Sequence, residues 1–284
     1  MGTLTRRGAL GMFAAGPFLR AARLPIKKAV EFNMLPESLS IADRFRLARE
    51  CGFEQIECPT ADASTAEEML AASRTARLPI HSVMNQEHWR SPLSSPDPAV
   101  VEKSVEGMRT SLRNAKLWGA STVLLVPAVV TAEVSYAQAW ERSQRVIRTL
   151  IPLAAELKIV IAIEEVWNKF LQSPLEFARY IDEFNSPYIR AYFDVGNVAI
   201  NGYPQDWIRT LGARIVKLHI KDFRFRNRVA EFAPLREGDI DWRAVHRALV
   251  EINFAGTATV ELPGGDAAYL KEVDRRFDLI LNGD

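Results

Sequence analysis

Eight short runs rich in Val, Ile or Phe recur along the chain, each followed by a longer amphipathic stretch. This alternation restricts the fold more than any other feature. The runs are residues 28–34, 53–59, 78–84, 121–127, 159–166, 189–196, 215–222 and 257–263, and most are stopped by Pro or Gly. Between them apolar residues recur at helical spacing, as at Ile41, Phe45 and Ala48 or at Val101, Val105, Met108 and Leu112. Helix starts are signalled by Ser38, by Thr65 with Glu68, by Ser173-Pro174 and by Asp241 before Trp242. A strand followed each time by a helix needs a crossover connection, and hence a parallel sheet. Eight such units in residues 26–284 predict a single-domain α/β protein, a closed (β/α)8 TIM barrel. A doubly wound open sheet would place a glycine-rich phosphate loop after its first strand, and Phe32-Asn-Met-Leu-Pro36 has no glycine.

Charge narrows the partners. Thirty-six basic side chains stand against 35 acidic ones, net +1, so nothing points to nucleic acid or an anionic membrane. A small, roughly neutral molecule is the expected ligand, and a homo-oligomer is compatible with the composition. Only Cys51 and Cys58 are present, which signals neither a disulfide framework nor a thiolate metal site. The first 25 residues resemble a twin-arginine export signal: Arg6 and Arg7 precede an apolar run from Ala9 to Leu19 and then Arg20 and Arg23. That run is too short for a membrane-spanning helix. The expectation is an exported, periplasmic protein with no stable membrane insertion; the alternative is a cytoplasmic chain with a disordered N-terminus.

In such a barrel chemistry belongs at the C-terminal ends of the strands. There the chain carries Glu57, His81, Glu164 or Glu165, Asp194, His219, Lys221 and Glu261. Residues two apart in a strand share a face, so Lys217, His219 and Lys221 point together, as do Thr257, Thr259 and Glu261. The same test cannot choose between Glu164 and Glu165 within an otherwise apolar run. A glutamate at that strand end, with Asp194, His219 and Glu261, comes from four successive strands. Three carboxylates and an imidazole without a thiolate suit one divalent ion: manganese, magnesium, cobalt or zinc.

These residues resemble the xylose-isomerase-like TIM-barrel superfamily, especially its ketose 3-epimerase and hydroxypyruvate isomerase branches. The resemblance is carried by Glu165-Val-Trp-Asn-Lys-Phe170, Phe193-Asp-Val-Gly-Asn197, Lys217-Leu-His-Ile-Lys-Asp222, Glu237-Gly-Asp-Ile-Asp-Trp242 and Val260-Glu-Leu-Pro263. It implies that Glu165, Asp194, His219 and Glu261 bind the metal. It further implies that Glu165 and Glu261 move protons beside the carbonyl of a sugar or sugar phosphate, through an enediolate. Glu57, His81, Lys221, Arg224 and Arg226 are the implied substrate contacts. His88 and His246 are expected to be structural or surface residues, and the tryptophans mostly core, with Trp167 placed to wall the pocket. Asn197 and Leu171 stand where family members commonly carry a histidine and a glutamate.

Two other activities fit the same site. A keto-polyol dehydratase begins with the same proton abstraction, and a noncatalytic sugar-binding barrel needs only the pocket. The abasic-site endonucleases of the same fold require more metal ligands than four histidines in the whole chain favour.

Overall fold

The structure, a computed structural model, describes residues 22–284. The segment bearing Arg6, Arg7 and the apolar run to Leu19 lies outside the described residues. Among the described residues no helix is long and apolar enough to cross a membrane.

Eight parallel strands close a barrel, as the alternation predicts: β1 (Lys27–Glu31), β2 (Gln55–Pro59), β3 (Ile80–Met84), β4 (Thr122–Leu125), β5 (Val160–Glu164), β6 (Ile189–Asp194), β7 (Ile215–Ile220) and β10 (Thr257–Val260). They pair in that order around the ring, with β10 closing against β1. Eight helices follow: α1 (Ile41–Glu50), α2 (Ala63–Ala76), α3 (Pro98–Trp118), α4 (Tyr136–Leu157), α5 (Pro174–Asp182), α6 (Pro204–Leu211), α7 (Trp242–Glu251) and α8 (Ala267–Leu281). Except at β2 and β3, the strands end before the apolar runs do, and the final residues of those runs leave the ladder to build the loops at the barrel mouth.

Helix starts follow capping chemistry. Ser173 and Asp241 cap α5 and α7 as read from the sequence. At α1 the cap is Ser40 rather than Ser38, and at α2 it is Asp62, whose carboxylate accepts from Thr65 N; Thr65 is therefore inside the helix and not its cap. Ser135 and Gln138 form a reciprocal capping box at α4.

Most of the core lies between barrel and helices, where Phe45, Phe53, Phe177, Phe193 and Phe277 are fully buried. Each such side chain contributes about 1.5–3 kcal/mol through lost apolar exposure. Cys51 and Cys58 are buried there as free thiols.

The barrel interior is polar on one half. Lys217 donates to Thr257, Thr257 donates to Gln55, and higher up Tyr192 bridges Glu57 and Thr259. The inward polar face of β7 and β10 is thus as strand parity requires.

One element is additional to the sequence reading. After β7 the chain forms an antiparallel hairpin, β8 (Asp222–Arg226) with β9 (Val229–Ala233). Asn227 and Arg228 both have positive φ, 51° and 65°, as a tight hairpin turn demands. Asp222 anchors its base: its Oδ1 accepts from Phe223 N, and its Oδ2 accepts from Arg236 N, Gly238 N and Trp242 Nε1. Gly238 is required there, because a Cβ would overlap the Asp222 carboxylate and the Phe223 carbonyl.

Candidate active site

At the C-terminal mouth of the barrel Glu164, Asp194, His219 and Glu261 each offer one ligand atom, and these atoms all lie within 4.8 Å of one another. Register explains the convergence. Asp194 is paired with His219 across β6 and β7, His219 with Thr259 across β7 and β10, and Glu261 follows two residues later on the same face. His219 Nδ1 lies 2.8 Å from Glu164 Oε1, 2.8 Å from Glu261 Oε2 and 3.7 Å from Asp194 Oδ2.

Glu165 does not join this group. Alternation on β5 sends Glu164 inward and turns its neighbour away, so Glu165 Oε1 accepts from the Asp194 backbone N–H at 2.9 Å while Asn197 Nδ2 donates to the Glu165 carbonyl. The Glu165 carboxyl is buried, and burial together with Asp194 and Glu164 raises its pKa well above the ordinary value. It braces the turn after β6 from behind.

Two other expected substrate contacts also sit behind the site. Glu57 is fully buried, and its Oε2 is 2.7 Å from His219 Nε2 and accepts from Tyr192 OH. It therefore orients the imidazole rather than touching substrate. His81 is buried below, with Nε2 2.9 Å from Thr259 Oγ1, away from the cavity. Arg224 and Arg226 belong to the hairpin: Arg224 donates to the Glu237 carbonyl and pairs with Glu231, and Arg226 pairs with Asp239. Lys221 does reach the site, its Nζ 3.0 Å from Asp194 Oδ2 and 2.7 Å from Glu261 Oε2. Gly196 makes room for it, since a Cβ there would strike the lysine side chain.

The donor set fits a divalent cation. Burial works against a charge on His219, but Tyr192, Glu261, Glu164 and Glu57 raise its pKa well above the ordinary value, so without an ion a proton is held among these carboxylates where a divalent cation would take its place. Asp194 Oδ2 and Glu261 Oε2 are buried and make no hydrogen bond of good geometry, although Lys221 stands at ion-pair distance from both. Burial pushes Glu164 up to about 7 against the pull of His219, and pushes Glu31 at the end of β1 up to about 7 with help from Glu261. Burial works against the charge of Glu261 too, but His219 and Lys221 hold its carboxyl well below the usual range. One lysine cannot balance this concentration of buried carboxylates, and a hard-oxygen, one-nitrogen set suits a metal ion.

Above the group lies a cavity of about 420 Å³. Glu164, Glu261 and Lys221 reach it beside Met84, Leu124 and Asn197, and Trp89, Trp167 and Phe232 stand around it. Trp167 is held by a bond from Nε1 to the Asn197 carbonyl and by stacking on Phe232 at 4.7 Å. His88 lines the cavity as well, contrary to its expected structural role. Its Nδ1 is 2.6 Å from the Asn85 carbonyl, an acceptor only, so the proton is on Nδ1 and Nε2 carries a lone pair. Burial lowers its pKa to about 4. His246 is buried against the Ala22 carbonyl, far from this chemistry.

A closed barrel with acidic and imidazole side chains converging at its C-terminal mouth defines a class, and the sequence places the chain within it. It belongs to the xylose isomerase-like TIM barrel family, whose pattern matches residues 45–277. Among curated relatives, the L-ribulose-5-phosphate 3-epimerase UlaE of Escherichia coli O1:K1 is 24% identical over 244 residues, covering 80% of this chain and 84% of the relative. Among solved structures, D-allulose 3-epimerase from Methylomonas sp. superposes with a TM-score of 0.70 at 19% identity, covering 85% of each chain. A D-tagatose 3-epimerase-like protein gives 0.78 at 18% identity, covering 90% of this chain and 98% of its own. The first two of these proteins are epimerases by name, members of the isomerase class of enzymes.

Proposed function

We propose that the protein is a metal-dependent epimerase or isomerase of keto sugars. The observation that carries this reading is the pairing of Glu164 and Glu261: both carboxylates border the cavity and both approach the same His219 nitrogen, from β5 and from the strand end after β10. Two carboxylates flanking one bound carbon centre are what stereochemical inversion next to a carbonyl requires. The curated relatives, 3-epimerases by name, agree with it.

Glu164, Asp194, His219 and Glu261 would hold the ion, which when bound supplies Lewis-acid stabilisation of the charge that develops on the substrate carbonyl. The chain's own groups do the rest. One glutamate, ionised, takes the proton from the carbon beside the carbonyl, the C–H electron pair moving toward the carbonyl oxygen, and the other, entering protonated, gives its proton to the opposite face, so that turnover exchanges the protonation of the pair. In the reverse direction they exchange roles. Glu57 keeps the His219 ring oriented, and Lys221 holds the Asp194 and Glu261 carboxyls in place. Trp167, Val166 and Phe232 shield the reacting carbon from bulk water. Return of the proton to the adjacent carbon by the same pair gives aldose-ketose isomerisation.

The test is solvent hydrogen exchange. Metal-loaded protein in D2O with a panel of keto sugars, followed by NMR, is expected to deuterate a carbon adjacent to the carbonyl and to form the epimer or isomer. Absence of exchange across the panel, with metal bound, contradicts the reading.

A further inference from the structure

From the lining of the cavity we infer that the substrate is an uncharged keto sugar carrying a second ring through a glycosidic bond, and that this ring sits between Trp89 and the Trp167–Phe232 pair. The inference rests on the epimerase reading above and adds the substrate class.

Electrostatics disfavour an anionic substrate. Among the described residues lining the cavity the only basic side chain of fixed charge is Lys221, and it stands within 3.0 Å of Asp194 and 2.7 Å of Glu261. Its charge is already matched. Arg224 and Arg226, the other candidate anion binders, are turned into the hairpin toward Glu237, Glu231 and Asp239. Phosphate cradles in such barrels are commonly built behind the last two strands at a helix N-terminus. Here those ends, α7 and α8, are closed by the carboxylates of Asp241 and Asp266, which accept from Ala244 N and Tyr269 N. The glycines before α8 serve packing, since a Cβ on Gly264 would press on the Met34 backbone and one on Gly265 on Tyr269. A phosphate entering beside Glu164 and Glu261 would be desolvated with no free cation to receive it.

β3 and β7 are four staves apart in the eight-membered ring, so they stand opposite each other. Trp89, in the loop after β3, therefore faces Phe232, on the hairpin after β7, across the mouth. Trp89 is 57% exposed, Trp167 41% and Phe232 43%, whereas Glu164 and Lys221 below them are buried. Single exposed aromatics need no explanation, but three around one cavity form a built apolar slot. The Trp167 ring is immobilised by its bond to Asn197 and its stack on Phe232, and Lys221 Nζ lies 4.9 Å from the Phe232 ring centre. A sugar ring bound at the glutamates fills the floor of the 420 Å³ cavity and leaves the slot for another ring. An aromatic aglycone and the C–H face of a second sugar share the flat apolar surface that such a slot accepts. His88 also lines the cavity, and its Nε2 lone pair can accept a hydrogen bond from a hydroxyl.

Where the bond uses the keto sugar's own anomeric carbon, that carbon is locked and the carbonyl is a ring carbon such as C3, the case the probes take. The probes are methyl, phenyl and β-glucosyl 3-oxo-β-D-glucopyranosides, with L-ribulose 5-phosphate as the charged competitor. With metal-loaded protein in D2O, the phenyl or glucosyl compound is expected to exchange with a KM about tenfold below the methyl compound, the two arms separating an aryl from a sugar occupant. Trp89→Ala should bring that ratio to within about threefold. Equal KM for methyl and ringed compounds, or a higher kcat/KM for L-ribulose 5-phosphate than for every glycoside, overturns the inference. If no probe exchanges, the epimerase reading fails, and the slot is then read by tryptophan fluorescence. Phenyl β-D-glucopyranoside binding about tenfold tighter than the methyl glycoside supports it, and equal binding overturns it.

Discussion

Exchanging Glu164 for glutamine, and separately Glu165, tells apart two adjacent carboxylates to which the structure gives opposite surroundings. Glu164 meets His219 at 2.8 Å and borders the cavity, so Glu164→Gln removes a group that can take or give a proton there. Loss of a positioned acid-base residue costs about 10²–10⁴ in rate, and the smaller figure already corresponds to about 2.7 kcal/mol of barrier. Glu165 accepts one backbone bond, from Asp194 N at 2.9 Å, and its second oxygen has no partner. In Glu165→Gln the amide oxygen retains that bond, and the new NH2 is left unsatisfied at a cost of about 1–3 kcal/mol in stability. Deuterium uptake into substrate by NMR, with a urea melt of each variant, separates the two effects. Glu164→Gln should lose at least about 10²-fold in exchange. Glu165→Gln should exchange within about threefold of the parent, equivalent to less than 1 kcal/mol of barrier, while melting earlier. A folded, metal-loaded Glu165→Gln that has lost exchange, or an active Glu164→Gln, refutes the reasoning.

Glu57→Gln weakens the carboxylate behind His219 without touching the cavity, and metal affinity measured by competition with a chelator should fall about 10–100-fold. His88 has a folded pKa of about 4 against an ordinary 6.5, so the unfolded chain takes up its proton first as pH drops. Stability from this group is intact above 6.5 and lost progressively down to about 4, in all about 3 kcal/mol, and His88→Leu should flatten that part of a urea-midpoint profile. An unchanged profile would place the imidazole in a wetter site. Gly238→Ala forces a Cβ into the Asp222 carboxylate, and a loss of about 1–3 kcal/mol in unfolding free energy is expected, with hydrogen exchange of the hairpin accelerated.

The staves were legible because a parallel strand covered by helices must be apolar on its outer face, and the eight runs say so plainly. Strand parity also gave the inward face of β7 and β10, since Lys217 and His219 alternate with Leu218 and Ile220. On β5 it failed for a physical reason: Val160 to Ile163 is apolar throughout, leaving no phase, and the family resemblance selected Glu165 where the structure turns Glu164 inward. Depth is likewise invisible in sequence. Glu57 and His81 sit near strand ends but beneath the mouth, and only the register with Ser82 and the bond to Thr259 reveals it. The hairpin did leave a signal in the alternation of Phe223, Arg224, Phe225 and Arg226 before Asn227, and reading it would have withdrawn both arginines from the site. His88 and Trp89 lie within a short 3-10 turn after β3, Glu87–Trp89, where no periodicity tells cavity from core.

The central claim is that one ion is shared by four side chains, and manganese binding reads it directly. Mn²⁺-loaded protein should hold one ion per chain, and pulsed electron paramagnetic resonance should show coupling to a single imidazole nitrogen that disappears in His219→Gln. Persistence of that coupling in the variant, or a parent protein that retains no ion after dialysis, would contradict the account.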